Sequence, residues 1–196
     1  QGMYRGIIGV ADAIKPSSAK AVQTLKAHGI DVWLVTGDNA HTAESVAKQV
    51  GIEHVKSGCL PSDKNDCIAE LQKQGHLVAM VGDGINDAAA LALSDVGIAI
   101  GTGTDVAAAS ADIVLAKGEL TGISDALLLS RTTLRIIKEN LFWAFAYNCL
   151  GIPVAAGLLY AFGGPLLNPM LAALAMSLSS VTVLTNALRL KRAKLK

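Results

Sequence analysis

Gly82-Asp83-Gly84-Ile85-Asn86-Asp87 follows directly on the apolar run Leu77-Val78-Ala79-Met80-Val81. A short buried strand thus runs into a turn carrying two carboxylates and an amide. The glycines let the backbone turn tightly with no side chain in the way. Asp83 and Asp87 offer hard oxygen donors, which suit Mg²⁺ better than a soft metal. Acidic oxygens around Mg²⁺ at a strand end can handle phosphate. The plainer alternative is a polar turn in which Asn86 or Asp87 caps the next helix.

A second string, Thr36-Gly37-Asp38, follows the apolar run Val32-Trp33-Leu34-Val35. Its hydroxyl and neighbouring N–H groups are what phosphate oxygens require. A third, Leu60-Pro61-Ser62-Asp63-Lys64, places a lysine at a helix start. The Lys64 ammonium is a compact positive charge suited to a phosphoryl group. Taken alone it reads equally as a solvated helix lysine. Phosphoryl transfer needs little beyond such electrostatic clamping and a nucleophile.

The elements that must position these groups alternate. Short apolar runs at Ile7–Val10, Val32–Val35, Leu77–Val81, Val96–Ile100 and Ile113–Leu115 read as strands. Between them lie helical stretches of about Pro16–His28, Ala40–Val50, Ser62–Gln74 and the Ala/Leu-rich segment to Leu93. Pro16 opens its helix at a favoured position, and Gly29, Gly51 and Gly75 close theirs. Uninterrupted apolar strands separated by helices predict an α/β domain with a parallel sheet covered on both faces. Ligands in such sheets bind beyond the carboxyl ends of the strands. The Thr36 and Asp83 turns both lie there, so they are read as one site.

The 196 residues carry a net charge of +1, which gives no strong pull toward nucleic acid. The charge is unevenly placed. From Leu141 to Leu188 there is no Asp, Glu, Lys or Arg. A spanning helix needs about 20 apolar residues. The stretch has room for two, broken at Gly163-Gly164-Pro165. We expect a transmembrane hairpin of about 141–162 and 168–188, entered through a linking helix at 121–140. A buried hairpin in a soluble core is the alternative. Arg131, Arg135 and Lys138 precede the first span, and Arg189, Lys191, Arg192, Lys194 and Lys196 follow the second. Flanking charge of this kind puts both termini and the α/β domain on the cytosolic side of the membrane. The chain begins with Gln1 and no signal peptide, and is expected to be a piece of something longer. Cys59, Cys67 and Cys149 form no CxxC pair, which argues against a zinc or redox site. The histidines are assigned no role.

The spans carry polar residues where they are costly, as transport paths do. The first holds Tyr147-Asn148 and the second Met176-Ser177-Leu178-Ser179-Ser180. Met176, Ser179 and Ser180 share one helix face. Asn148 lies about 10 Å into its span and Ser180 about 12 Å from the end of its own, so antiparallel spans bring them level. Methionine sulfur is a soft ligand that selects Cu(I). The alternatives are helix packing for the polar residues and gap-filling for methionine.

The ordered set TGD, PxxK and GDGxND resembles the haloacid-dehalogenase superfamily, and within it the phosphorylation domain of P-type ATPases. The likeness covers nearly the whole chain. Gly9-Val10-Ala11-Asp12-Ala13-Ile14-Lys15-Pro16 is similar to the family segment that follows the nucleotide-binding domain. Tyr-Asn and Met-x-Ser-Ser resemble the signatures of Cu(I)/Ag(I)-transporting members. The resemblance implies that Thr36, Gly37 and Lys64 contact the phosphoryl group and that Asp83 ligates Mg²⁺ with support from Asn86 and Asp87. It implies that Asp12 and Asp38 help join the phosphorylation and nucleotide domains. Tyr147, Asn148, Met176 and Ser180 become candidate copper contacts. ATP and Mg²⁺ follow as cofactors, and Cu(I) or Ag(I), the bilayer and the rest of the pump as partners. Residues 1–120 would be the C-terminal part of a Rossmann-like phosphorylation domain, and 189–196 a basic cytosolic tail.

The family's nucleophilic Asp-Lys-Thr-Gly-Thr string does not occur in these residues. The central strand that it ends is expected to be missing, either letting the flanking strands close up or leaving unpaired edges. The chain alone is expected to be inactive. Two other readings compete. A membrane-tethered phosphatase would need Asp12 as nucleophile, but Asp12-Ala13-Ile14 lacks the usual second aspartate. A non-catalytic regulator or assembly partner needs no nucleophile at all.

Overall fold

The computed structural model describes residues 13–83, 85–101, 108–165 and 168–192. The expected strand Ile7–Val10, the residues Asp12 and Gly84, and Lys194 and Lys196 of the tail lie outside these. The chain divides into two compact units, 1–124 and 125–196.

In the first unit, α1 (Pro16–Ala27) starts on Pro16 and buries Ala21 and Val22. The strand β1 (Trp33–Val35) follows. Helix α2 (Ala40–Val50) is capped by the Asn39 side chain, which accepts the Thr42 N–H at 3.0 Å. It ends on Gly51 at φ 79°, a conformation that only glycine adopts cheaply. Ala43, Ala47 and Val50 form its buried stripe. Next comes a strand that periodicity does not predict, β2 (His54–Lys56). It is short and flanked by polar residues, so no apolar run marks it. His54 stacks on Trp33 there, with ring centroids 4.7 Å apart. Helix α3 (Pro61–Lys73) starts one residue earlier than expected, on Pro61, and Asp63 accepts the Leu60 N–H at 2.8 Å. Then come β3 (Ala79–Gly82), a 3-10 turn at Ile85–Asp87, α4 (Ala88–Leu93), β4 (Val96–Ile100) and β5 (Ile113–Leu115).

All strand pairings are parallel, as expected, but the sheet is not continuous. Among the described residues β1 pairs with β2 alone, and β3-β4-β5 form a separate sheet. Among the described residues no strand pairs with the second edge of β1 or of β3. β4 is central, with Gly97, Ile98 and Ala99 buried, as a strand covered on both faces must be. Leu91 of α4 packs there at 1% exposure. A Cβ on Gly97 would lie 2.7 Å from the Leu91 carbonyl oxygen, so glycine is what permits that approach.

In the second unit the linking helix and the first expected span are one helix, α5 (Thr121–Ala155). Pro153 is accommodated within its last turn. The break comes at Gly157, at φ 93°, before the short α6 (Leu158–Ala161). The expected single helix over 141–162 is thus corrected to a helix, a break and one further turn. Helix α7 (Pro169–Leu188) matches the second expected span and is capped by Asn168. Among the described residues, no helix is long and apolar enough to cross a membrane. Ser177, Ser179, Ser180, Thr182, Thr185 and Asn186 interrupt the apolar surface of α7. Asn186 donates to Asn140 at 2.9 Å and Arg189 reaches Glu139 at 3.3 Å, tying the end of α7 to the middle of α5.

Candidate phosphoryl and Mg²⁺ site

The turn after β1 is built around Thr36. Its hydroxyl accepts the Asp38 N–H at 3.1 Å and donates to the Asp38 carboxylate at 3.1 Å. Strand pairing continues through it, since the Thr36 N–H reaches the Lys56 carbonyl at 2.9 Å. The loop after β2 then grips the turn. Gly58 N–H donates to Asp38 O at 2.7 Å and Cys59 N–H to Thr36 O at 3.0 Å. A Cβ at Gly37 would stand 3.3 Å from the Cys59 carbonyl oxygen. These backbone bonds hold Thr36-Gly37-Asp38 in place, and residue types gave no sign of Gly58 or Cys59. A side chain that makes no contact of its own leaves no signal in its identity.

The same loop leads into α3 and so to Lys64. Its ammonium donates to the Asp87 carboxylate at 2.7 Å, with 19% and 11% of the two side chains exposed. Asp87 is the one buried charged residue among the described residues, and burial demands such a partner. Its carboxylate lies against β3. A Cβ on Gly82 would come within 2.8 Å of Asp87 Oδ2, so Gly82 is the seat of that side chain. Lys64 and Asp87 therefore join α3, on the β1–β2 side, to the end of β3. Asp87 does not cap α4 through its side chain, which sets aside the plain capping reading for it.

Asp83 and Asn86 follow β3 and are exposed. The donor set suits Mg²⁺, which binds one or two carboxylates and takes its other ligands from water and phosphate. No group of three or more His, Cys, Asp or Glu that could hold a metal occurs among the described residues.

The other expected constellation is not assembled by side-chain contacts among the described residues. Asn148 donates to the Ala144 carbonyl of its own helix at 2.8 Å. Tyr147 faces Trp143, with ring centroids 6.4 Å apart. Ser180 donates back to the Met176 carbonyl at 3.3 Å, and Met176 is 74% exposed. The Asn140–Asn186 bond does fix a register. From it Asn148 is about 12 Å along α5, Ser180 about 9 Å and Met176 about 15 Å along α7. Asn148 thus sits at a level between them. Cys59, Cys67 and Cys149 are free thiols.

Comparison with known proteins accords with this geometry. Residues 1–95 match the haloacid dehalogenase-like hydrolase family. The chain is 55% identical over 194 residues to a copper-transporting P-type ATPase of Rhizobium leguminosarum bv. viciae, covering 99% of this chain and 23% of that protein. It is 52% identical over 194 residues to a silver exporting P-type ATPase of Salmonella typhimurium, covering 99% and 24%. The crystal structure of a zinc-transporting PIB-type ATPase in its E2·Pi state superposes with a TM-score of 0.79 at 36% identity, over 91% of this chain and 28% of that one. The chain spans about a quarter of the length of the curated relatives it matches. Sequence motif, fold and kinship agree: residues 1–95 match the haloacid dehalogenase-like hydrolases, and the chain is similar along nearly its whole length to a portion of the copper- and silver-transporting P-type ATPases.

Proposed function

We propose that this chain is the phosphoryl-handling and membrane-embedded portion of an ATP-driven Cu(I) or Ag(I) export pump that works through a phosphoaspartate. The observation that carries the reading is the Lys64–Asp87 contact at 2.7 Å, which draws two separate sequence strings to one strand end. The Thr36 hydroxyl and the Gly37 N–H receive phosphoryl oxygens, and Lys64 neutralises one of their charges. Asp38 holds the Thr36 hydroxyl in place. Asp83, with Asp87 and Asn86 beside it, would hold Mg²⁺, which screens phosphate charge when bound. The aspartate to be phosphorylated belongs to an Asp-Lys-Thr-Gly-Thr string elsewhere in the pump. Asp12 and Asp38 serve the nucleotide side.

The stretch from Leu141 to Leu188 forms the membrane hairpin in this proposal, with both ends cytosolic. Its lack of charge supports this, as do the exposed Phe142, Phe145, Leu150, Ile152, Val181 and Leu184, a large apolar surface for water to face. Tyr147, Asn148, Met176 and Ser180 line the ion path. The copper and silver relatives are closer in sequence than the zinc transporter, which favours a soft monovalent cargo.

The test is phosphoenzyme formation. Incubated with Mg²⁺ and γ-labelled ATP, the chain alone takes up no acid-stable label. A full-length transporter containing this segment is labelled and shows Cu(I)-stimulated turnover. Robust labelling of the isolated chain would overturn the assignment, as would a full-length protein that ATP fails to label.

A further inference from the structure

Arg131, Arg135 and Lys138 stand at i, i+4 and i+7 on α5 and so share one helix face. With Leu134 and Glu139 they line an open groove of about 440 Å³. All three cations are exposed, and none has an ion-pair partner among the described residues. Glu139, the acidic residue of the groove, is engaged by Arg189 at 3.3 Å and so does not neutralise them. Leu134 lies between the cations and is 55% exposed. This helix face therefore presents three cations around one exposed leucine.

Position adds to composition. The charge-free stretch begins at Leu141, three residues after Lys138. Along the helix Lys138 is about 4 Å, Arg135 about 9 Å and Arg131 about 15 Å short of it. The headgroup layer of a bilayer is about 5–8 Å deep on each side of the hydrocarbon. Lys138 then lies within that layer, and the long side chains of Arg135 and Arg131 can snorkel up to it. Phosphate oxygens fit guanidinium forks, and a glycerol backbone fits over Leu134.

We propose that this groove binds the headgroup of an anionic phospholipid, which anchors α5 where it enters the cytosolic leaflet. The inference rests on the membrane reading above. Basic residues close to an anionic leaflet each contribute about a fivefold preference. Three in one groove, partly hydrated, should give a several-fold enrichment of anionic over zwitterionic lipid.

Trp143 lies five residues beyond Lys138 and is one of two tryptophans in the chain, which makes it a local reporter. In a Trp33→Phe background it is the only one. The full chain is reconstituted in phosphatidylcholine vesicles doped with either brominated phosphatidylglycerol or brominated phosphatidylcholine at equal mole fraction. We expect the glycerol lipid to quench Trp143 with at least threefold higher apparent affinity. That preference should fall to near unity in Arg131→Gln/Arg135→Gln/Lys138→Gln and, in the unaltered groove, at high salt. The salt arm keeps the test decisive where the triple variant folds poorly. Equal quenching by both lipids, or a preference untouched by salt and by the triple variant, overturns the site and leaves the hairpin standing. Quenching by neither lipid overturns the membrane reading instead. Competition by soluble glycerol 3-phosphate would show a phosphate site independent of the bilayer and so overturn the lipid assignment.

Discussion

Lys64 and Asp87 form the pair on which the site turns, and their energetics follow from burial. A carboxylate at 11% exposure has lost most of its water, and the ammonium 2.7 Å away replaces it. Removing the lysine leaves a desolvated charge with no partner. Lys64→Ala should therefore destabilise the chain by about 2–3 kcal/mol, between the exposed and fully buried limits. Lys64→Ala combined with Asp87→Asn should cost clearly less than the sum of the single changes. Urea unfolding followed by fluorescence measures the cycle, and additivity within about 0.5 kcal/mol would show that the two do not interact. This contact was half legible in the sequence. Each partner stood in a recognisable string, and their shared location at strand ends followed from the α/β alternation. Their direct bond did not, because it depends on the span of α3. Gly82 likewise looked like a turn residue, while its structural role is to make room for the Asp87 carboxylate.

Among the elements, those with strong local chemistry were legible and those held by distant bonds were not. Pro16 and the closing glycines marked α1 to α3 closely. β2 escaped because three residues pairing with β1 need no apolar run. The break at Gly157, at φ 93°, falls within a stretch whose uninterrupted apolar character reads as one span. The start of β3 offers a test of element stability. The Asp95 carboxylate accepts the Val78 N–H at 2.8 Å and a Gln72 amide hydrogen at 3.2 Å. Those hydrogen bonds, the Val78 one foremost, hold its pKa below the ordinary carboxylate value. A depressed acid contributes stability above its unfolded pKa of about 4 and loses it as pH falls through the folded value. Melting temperature should therefore decline below about pH 4, and Asp95→Asn should flatten that decline. Parallel pH profiles for the two proteins would show that Asp95 carries none of it.

At the scale of the whole molecule, the proposed cargo path is the part that most needs a functional readout. Met176 is 74% exposed, and nothing in its packing requires a thioether. Met80 sits within β3, half-buried, where it fills space. In the full transporter Met176→Ala should reduce Cu(I)-stimulated turnover by at least tenfold, and Met80→Ala by much less. Equal losses would mean that Met176 only packs. A residue aligned with copper transporters can be recognised from its motif, but a metal site needs several such groups to converge, and helix spacing alone does not report convergence.

The hydrogen bond between Asn140 and Asn186 has a mechanical consequence for that path. The Asn186 amide donates to the Asn140 side-chain oxygen at 2.9 Å on a partly buried surface, and its own oxygen accepts from Arg189 at 2.8 Å. Sliding one helix along the other by a single turn, about 5.4 Å, would break this bond. A swivel about the same point keeps the bond. The pair acts as a pin rather than a rail: it fixes the axial register of α5 and α7 at one point and leaves their crossing angle free.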